Sequence, residues 1–214
     1  MNLITGHTKL TALLGSPVSH SISPLMHNEA FQQLGLDYAY LCFDVREDSL
    51  FEAVSGLKAC GIRGFNLTMP NKNKIVEFLD ELSPAARMIG AVNTVVNEQG
   101  RLIGYNTDGI GYMKAAQDAG HPLPGKTITV MGAGGAATAI CAQAALDGVE
   151  KIHIFARPTS RFFERMQKLA DNINASTSCK AFLHDHQDYG ALNNALLESY
   201  LLLNATSVGM APDT

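Results

Sequence analysis

Short apolar runs alternate with segments of helical periodicity along the chain, and glycine or proline separates most of them. The apolar runs predict strands over residues 10–15, 38–45, 62–67, 92–97, 102–105, 128–131, 151–156, 181–183 and 201–204. Apolar residues at helical spacing predict helices over 24–34, 50–57, 73–79, 84–89, 108–119, 136–145, 160–174 and 191–200. Strands that alternate with helices are typical of an α/β fold with a mainly parallel sheet.

The first predicted helix has a start signal, a stop signal and one apolar face. Pro24 stands in its first turn, Ser23 precedes it as a candidate N-cap, and Gly35 follows its end. The apolar side chains on one face are Met26, Ala30, Phe31 and Leu34. This pattern indicates an amphipathic helix.

A glycine-rich turn joins the strand at 128–131 to the helix that follows it. Gly132 and Gly134, with Ala137 third, fit the dinucleotide-binding pattern G-x-G-x-x-G/A. The first glycine allows a sharp turn, the second lets a pyrophosphate approach the backbone, and the helix N-terminus offers unpaired N–H groups. An ordinary glycine turn of an α/β domain is the alternative. The candidate cofactor-binding residues here are Gly132, Ala133, Gly134, Gly135 and Ala136.

The cluster Gly120-His-Pro-Leu-Pro-Gly125 is the clearest break in the pattern. We place the domain junction at the helix before it, which gives domains over 1–107 and 108–214. The second contains the glycine-rich turn and is predicted to be a Rossmann-like dinucleotide-binding domain. It offers only about four strands, which is short for a doubly wound fold of two halves. We therefore expect this domain to be incomplete at its C-terminus.

Composition narrows the classes of function. The 214 residues are 46% hydrophobic and 17% charged, which indicates a packed core. A net charge of −4 without a basic run argues against nucleic acid as a partner. No apolar run reaches membrane length, no signal-peptide pattern opens the chain, and the 4 cysteines have no C-x-x-C spacing. We expect a cytoplasmic protein with reduced thiols and no membrane partner.

Polar residues are concentrated in loops that follow or precede the predicted strands of the first domain. Loops at the carboxyl ends of parallel strands share one edge of the sheet, where ligands bind. These side chains suit a small molecule that has several hydroxyls and a carboxylate, although helix caps and turn formers are the alternative. Lys72 is the hardest to explain as a cap, because the first turn of a helix disfavours cations. The loop residues are Ser19, His20, Ser21, Ser23, Asn66, Thr68, Lys72, Asn93, Thr94, Asn106, Thr107 and Asp108.

Six motifs, in order along the whole chain, resemble those of the shikimate and quinate dehydrogenases. They are Ser19-His-Ser-Ile-Ser-Pro-Leu-Met-His-Asn28, Asn66-Leu-Thr-Met-Pro-Asn-Lys72, Gly90-Ala-Val-Asn-Thr94, Gly104-Tyr-Asn-Thr-Asp-Gly109, Gly132-Ala-Gly-Gly-Ala136 and Asn204-Ala-Thr-Ser-Val-Gly-Met210. The form Met69-Pro-Asn-Lys72 and the helix at 80–87 are more similar to the dual-substrate quinate/shikimate branch. The resemblance implies a substrate-binding catalytic domain followed by an NAD(P)-binding domain. It further implies a role in aromatic amino acid biosynthesis or in quinate use.

The resemblance also implies roles for individual residues. Ser21 and Ser23 would bind the substrate carboxylate. Hydroxyls of the ring would contact Thr68, Asn93 and Asp108, with Asn66 as a further candidate. Lys72 and Asp108 would form the catalytic pair, because the hydroxyl proton needs an acceptor while hydride leaves the same carbon. The expected reaction interconverts shikimate or quinate and the corresponding 3-dehydro acid.

The residues after the second strand of the second domain bear on the choice of cofactor. An acid there favours NAD, and an arginine favours NADP. The segment Phe155-Ala-Arg-Pro-Thr-Ser-Arg161 contains no acid, although the family often has asparagine where this chain has Ala156. We expect NADP as the cofactor, with NAD as the alternative. The alternative for the two arginines is that they are solvated residues at the start of a helix and bind no phosphate. The candidate cofactor residues are Arg157, Thr159, Ser160 and Arg161, with Ser207 and Met210 near the nicotinamide.

Several features remain outside this hypothesis. His184 and His186 have no third ligand nearby in the sequence, and hydride transfer to nicotinamide needs no metal, so we expect none. Tyr40 is interpreted as a core or sheet residue, with a substrate contact as the alternative. A homodimer is the candidate oligomeric state. The rival functions are a methylene-tetrahydrofolate dehydrogenase-like enzyme and an inactive or binding-only fragment.

Overall fold

The computed structural model describes residues 4–209. The chain divides into two compact units, Met1–Asn106 and Thr107–Thr214. Both units combine helices with a sheet, and the sheets contain six and four strands. The predicted α/β fold is thereby confirmed.

The first unit is built on a mixed sheet with the order β2-β1-β3-β5-β6-β4. Its strands are β1 (Lys9–Gly15), β2 (Tyr38–Asp44), β3 (Gly64–Leu67), β4 (Glu81–Leu82), β5 (Thr94–Glu98) and β6 (Arg101–Tyr105). Its helices are α1 (Ser23–Gln33), α2 (Leu50–Ala59) and α3 (Pro84–Ile89), with 3₁₀ turns at Glu47–Ser49 and Lys74–Phe78. The pairs β1–β2, β1–β3 and β4–β6 are parallel, whereas β3–β5 and β5–β6 are antiparallel. Strands β5 and β6 form an antiparallel hairpin, and parallel pairing predominates among the strands before it.

The larger of the two hydrophobic clusters described in the first unit lies against this sheet. Leu50 and Val54 of α2 are buried in it together with Leu14 of β1, as expected for apolar residues at helical spacing in the predicted helix 50–57. Ile75, from the 3₁₀ turn at Lys74–Phe78, is fully buried in the same core. The sequence predicts an α-helix for that turn, but a five-residue segment that buries one apolar anchor needs only the tighter, shorter form.

Helix α1 differs from its prediction. Ser23 is its first residue and not its N-cap, and none of the described residues 23–33 is buried. Met26 and Leu34 are 57% and 71% exposed. The helix is held instead by Asn28, whose side-chain amide pairs with the main-chain N–H and C=O of Tyr40 at 2.8 and 3.0 Å. Because β2 is an edge strand, these bonds satisfy backbone groups that no neighbouring strand can reach.

The second unit contains a fully parallel sheet with the order β10-β7-β8-β9. Its strands are β7 (Thr127–Met131), β8 (Lys151–Ala156), β9 (Lys180–Asp185) and β10 (Leu201–Asn204). Its helices are α4 (Asp108–Asp118), α5 (Gly135–Leu146), α6 (Phe163–Ser176) and α7 (Tyr189–Glu198). This strand order is that of the first part of a Rossmann sheet, as the glycine-rich turn predicts.

Small residues let α4 and α5 pack closely in the second unit. A Cβ atom at Gly109 would lie 2.3 Å from the carbonyl oxygen of Ala139, so only glycine fits there. Helix α5 is rich in alanine and buries most of its length, including Ala137 and Ala144. The close packing fixes the N-terminus of α5 at the end of β7, where the glycine-rich turn lies.

Candidate active site

The polar loops of the first unit meet at one edge of its sheet. Strands β1 and β3 are parallel, so the loops after them, with Ser21 and Ser23 in one and Thr68 and Lys72 in the other, start at the same edge. Strand β5 is antiparallel to β3, which places its beginning, after Asn93, at that edge too. The topology thus gathers the predicted substrate-binding residues of this unit.

Backbone hydrogen bonds join these loops to one another. The N–H of Thr68 donates to the carbonyl of Leu14 at 3.0 Å, and the N–H of Val92 donates to the carbonyl of Lys72 at 2.8 Å. The fully buried Asn71 anchors the Lys72 loop, because its Nδ2 donates to the carbonyl of Val45 at 2.8 Å. Lys72 is therefore carried on a backbone that is fixed from two sides, and its side chain is half-buried.

The two predicted carboxylate-binding serines are adjacent in space. The N–H of Ser23 donates to Oγ of Ser21 at 3.2 Å, and both residues are half-buried. A hydroxyl that accepts from a main-chain N–H can still donate its own hydrogen to an anion. The arrangement therefore suits the predicted binding of a carboxylate, and that role stays a prediction.

Asn66, Thr94 and Asn93 form a hydrogen-bonded group with Tyr40. The hydroxyl of Tyr40 donates to Oδ1 of Asn66 at 2.8 Å. Nδ2 of Asn66 donates to the main-chain carbonyl of Asn93 at 3.2 Å and to Oγ1 of Thr94 at 3.0 Å. Oγ1 of Thr94 donates to Oδ1 of Asn93 at 3.0 Å. Tyr40 is a core residue, as predicted, but its hydroxyl links that core to Asn66, at the edge of the sheet where the polar loops meet.

Burial keeps the Tyr40 hydroxyl protonated. Its side chain is 2% exposed, and desolvation, together with nearby Cys42, raises the pKa of Tyr40 far above its usual value. The ring of His27 stacks on it with centroids 4.2 Å apart, and burial lowers the pKa of His27. The hydroxyl is consequently a permanent donor, and the stacked imidazole favours its neutral form.

The turn after β7 has the geometry of an anion cradle. Gly132 has φ +115°, and a Cβ there would lie 2.8 Å from the carbonyl oxygen of Ala205, so the position requires glycine. A Cβ at Gly134 or Gly135 would meet no atom within 4 Å. Helix α5 begins with no side-chain cap on its terminal N–H groups. Open space in front of an uncapped helix N-terminus fits the pyrophosphate of a dinucleotide.

Two arginines follow β8. Because β8 pairs in parallel with β7, they start at the same edge of the sheet as the cradle after β7. Arg157, Thr159 and Arg161 are exposed, and Ser160 is half-buried. The guanidinium of Arg161 lies 4.7 Å from the ring centre of Phe162. No acidic residue stands between Ala156 and Glu164, so this segment can receive a 2′-phosphate without charge repulsion.

Arg165 is a further candidate that the sequence reasoning missed. Its guanidinium lies 5.5 Å from the ring centre of Phe162, the same ring that Arg161 contacts. Its Nη2 donates to Oγ1 of Thr138 at 3.3 Å. Within residues 4–209, its Nε is buried without a hydrogen-bond partner. The signal that could have found it is a cation in the first turn of a helix, which also singled out Lys72.

The remaining predicted residues lie as follows. The loop after β10, which contains Ser207, is joined to the end of β7 by a bond from the N–H of Ala205 to the carbonyl of Met131 at 2.9 Å. Met210 lies outside the described residues. Lys72 and Asp108 belong to different units, and their pairing stays a prediction.

His184 does not form a metal site with His186. Its Nε2 lies 3.1 Å from Nδ1 of His153, whose Nε2 lies 2.6 Å from Oε1 of Glu198. Among the described residues, no group of three or more His, Cys, Asp or Glu side chains could hold a metal ion. The search for helices long and apolar enough to cross a membrane, also made over those residues, found none.

Comparisons with known proteins agree with this geometry. A family model described as the shikimate dehydrogenase substrate binding domain matches residues 13–95. The shikimate dehydrogenase (NADP(+)) of Listeria innocua is 54% identical over 209 residues, which cover 98% of this chain and 72% of that protein.

Solved structures give the same result. A shikimate 5-dehydrogenase from Listeria monocytogenes, in complex with shikimate and NAD, is 53% identical with a TM-score of 0.96 and covers 99% of this chain and 73% of that one. The ligand-free 5-ketofructose reductase of a Gluconobacter species is 32% identical with a TM-score of 0.85, over 96% and 71% of the two chains. The likeness confirms both the family resemblance and the Rossmann-like second unit. This chain belongs to the shikimate dehydrogenase family.

Proposed function

We propose that this protein is an NADP-linked oxidoreductase that interconverts shikimate and its 3-dehydro acid. The observation that carries the proposal is the meeting of two serines, Thr68, Lys72 and Asn93 at one edge of the first sheet. Such a set suits a small, polyhydroxylated acid. The open glycine cradle of the second unit supports a dinucleotide partner, and the name of the Listeria innocua relative supports NADP.

The proposed substrate contacts divide by chemistry. Ser21 and Ser23 bind the carboxylate through hydroxyl donors, and Thr68, Asn93 and Asp108 bind the ring hydroxyls. Asn66 contributes through its bonds to Asn93 and Thr94, because both hydrogens of its amide nitrogen are directed at these two residues. Binding through several directional groups holds the reacting carbon in line, and such positioning contributes up to about 7–11 kcal/mol in favourable cases.

Lys72 and Asp108 are proposed as the catalytic pair. When bound, the nicotinamide of NADP supplies the acceptor for the hydride that leaves the oxidised carbon. Lys72, as the neutral amine, takes the proton of the hydroxyl on that carbon, and the ammonium so formed returns it in the reductive direction. Asp108 orients the amine and the hydroxyl. Proton transfer of this kind contributes typically about 10²–10⁴-fold to the rate, so positioning outweighs it.

The cofactor contacts are proposed from the geometry of the second unit. The N–H groups of the turn Gly132–Ala136 and of the start of α5 bind the pyrophosphate. Arg157 and Arg161 bind the 2′-phosphate, with Thr159 and Ser160 as further donors, and Ser207 approaches the nicotinamide. The same role for Met210, which lies outside the described residues, stays a prediction from the sequence. NAD remains the alternative cofactor, since the Listeria monocytogenes structure contains it. The ratio of kcat/KM for NADP+ and NAD+ decides between them.

Quinate is proposed as a second substrate. The support is the Met69-Pro-Asn-Lys72 form, whose Asn71 is fully buried and anchors the loop that carries Lys72. A folate dehydrogenase and a binding-only role are not favoured by the comparisons. A cytoplasmic location and a homodimer stay predictions.

The test is the formation of reduced nicotinamide, followed by absorbance, with purified protein and NADP+. We expect turnover with shikimate and slower turnover with quinate. Fructose serves as a control, because the Gluconobacter relative is named as a 5-ketofructose reductase. Turnover with fructose and not with either acid would contradict the proposal, as would binding of shikimate without any turnover.

A further inference from the structure

Four side chains of the first unit form a continuous hydrogen-bonded relay. It leads from the core to the edge of the sheet where the proposed substrate-binding residues lie. It runs from the hydroxyl of Tyr40 to Asn66 (2.8 Å), from Asn66 to Thr94 (3.0 Å) and from Thr94 to the side chain of Asn93 (3.0 Å). Strands β2, β3 and β5 contribute Tyr40, Asn66 and Thr94, and Asn66 and Thr94 are directly opposite in the β3–β5 pair. The relay is therefore built into the sheet register.

One main-chain group fixes the direction of the bonds that Asn66 makes in this relay. The carbonyl of Asn93 can only accept, and it lies 3.2 Å from the amide nitrogen of Asn66. The NH₂ of Asn66 must therefore face Asn93 and Thr94, which leaves its Oδ1 to accept from the Tyr40 hydroxyl. The oxygen of the Thr94 hydroxyl accepts from Asn66, and its hydrogen is donated to Oδ1 of Asn93.

The final bond sets the orientation of the Asn93 amide. With Oδ1 held toward Thr94, the NH₂ end of the amide is directed to the opposite side. Asn93 is buried, and a reversed amide would remove from the Thr94 hydroxyl the acceptor that lies 3.0 Å away. The relay therefore selects a donor, and not an acceptor, at this position of the candidate site.

Packing around Tyr40 holds the first member of the relay. The phenol lies in a small cluster with Leu13 and Val18, and the ring of His27 stacks on it. Asn28 binds both main-chain polar groups of Tyr40. The residue is thus fixed in its main chain and its ring, and the hydroxyl has one direction in which to donate.

We infer that Tyr40 and Thr94 are positioning residues that hold the Asn93 amide with its NH₂ toward the substrate. The inference rests on the proposed function for the identity of the ligand. It adds that the substrate group at Asn93 is an acceptor, such as a hydroxyl or carboxylate oxygen. Neither positioning residue contacts the reacting atoms in this account, because each acts through its neighbour.

Tyr40→Phe removes the first hydroxyl and leaves the ring stack with His27. We expect the KM for shikimate to rise roughly 3- to 10-fold, the loss typical of one hydrogen bond, with the KM for NADP+ unchanged and kcat within about 2-fold. Tyr38→Phe is the matched control, since the Tyr38 ring lies against Phe31 and Lys9. Thr94→Val should raise the KM for shikimate similarly. Thr94→Ser, which keeps a hydroxyl, should have the KM of the wild-type protein.

Two readouts separate a positioning role from a structural one. In an Asn93→Ala background, Tyr40→Phe should no longer change the KM for shikimate, whereas an equal rise in both backgrounds would overturn the inference. Nuclear magnetic resonance of the side-chain amides needs no activity. The Asn93 NH₂ signals should shift in Tyr40→Phe and Thr94→Val and stay in place in Tyr38→Phe.

The outcomes for the inference and for the proposed function are distinguishable. Unchanged Asn93 amide signals in Tyr40→Phe overturn the relay, even in an active enzyme. Shifted signals in a protein that does not turn over shikimate support the relay and contradict the proposed function.

Discussion

Two residues of the glycine-rich turn, Gly132 and Gly134, are glycine for different physical reasons. Gly132 has a positive φ and no room for a Cβ, so its glycine serves the fold. Gly134 has φ −73° and ψ −174°, which any residue adopts, and a Cβ there would face open space. Its glycine is therefore unexplained by packing, and the close approach of a pyrophosphate explains it.

This difference predicts opposite effects for two alanine substitutions. Gly134→Ala should change the free energy of unfolding by less than about 1 kcal/mol, yet raise the KM for NADP+ by about 10-fold or more, because the new methyl occupies the cradle. Gly132→Ala should lower the free energy of unfolding by about 2–4 kcal/mol. Denaturant titrations and cofactor kinetics on both variants check this. An unchanged KM for NADP+ in Gly134→Ala would contradict the proposal that the pyrophosphate binds at this turn.

Among single residues, the sequence predicts those whose role is decided by their neighbours along the chain. It does not predict residues whose contacts depend on how separate strands align. The spacing of Gly132 and Gly134 predicts a turn, because backbone sterics decide it within a few residues. The contact between Tyr40 and Asn66 spans 26 residues and requires that β2, β1 and β3 align correctly. No local pattern encodes that alignment, and so the relay was not predictable.

Among the elements, α1 shows the limit of periodicity. Its apolar spacing is real, but the helix is held to β2 by Asn28 and by the rings of His27 and Phe31, and its other apolar side chains are exposed. Helix α3, in contrast, was predicted over its observed residues, Pro84–Ile89, since Ser83 caps it and Gly90 ends it in a left-handed conformation. Capping chemistry is local, whereas burial depends on what the rest of the fold supplies.

The contact of α7 with β8 and β9 predicts a pH dependence of stability. Burial, followed by nearby His153, lowers the pKa of His184 below its ordinary 6.5, and Asp188 opposes this. Hydrogen bonds from Lys151 and His153 lower the pKa of Glu198 below 4.5. In both cases the unfolded chain binds protons more readily, so stability is lost as the pH falls, first near the histidine range and then near the carboxylate range.

His184→Gln should flatten the first part of that loss. Denaturant titrations between about pH 8 and about pH 5 measure the free energy of unfolding across the histidine range. His186→Gln is the control, because Nδ1 of His186 lies beside Asp185 and not beside His153. An equal slope in wild type and His184→Gln would show that the half-buried imidazole of His184 is not responsible.

At the scale of the whole molecule, the two units separate the two proposed tasks. Residues proposed for the carboxylate and ring hydroxyls lie mostly in Met1–Asn106, and those proposed for the cofactor lie in Thr107–Thr214. Cysteines are distributed across both units. Cys60 is exposed and Cys42 is half-buried in the first, whereas Cys141 and Cys179 are buried in the second.

Thiol labelling should therefore report on each unit. Burial raises the pKa of Cys141 to about 12 and that of Cys179 to about 11, which suppresses the reactive thiolate. A thiol reagent should modify Cys60 rapidly in the native protein and modify Cys141 and Cys179 only when the second unit unfolds. Cys60→Ser should remove the fast phase. Rapid modification of Cys141 in native protein would contradict the burial of α5.

The most direct test of the central claim is the steady-state oxidation of shikimate by Lys72→Ala, with Lys74→Ala as the control. Lys74 is close in sequence and pairs with Glu77 at the surface. The proposed mechanism predicts that Lys72→Ala lowers kcat by about 10²–10⁴-fold, with little change in the KM for shikimate, and that Lys74→Ala retains wild-type turnover. Near-normal kcat in Lys72→Ala would contradict the assignment of proton transfer to this lysine.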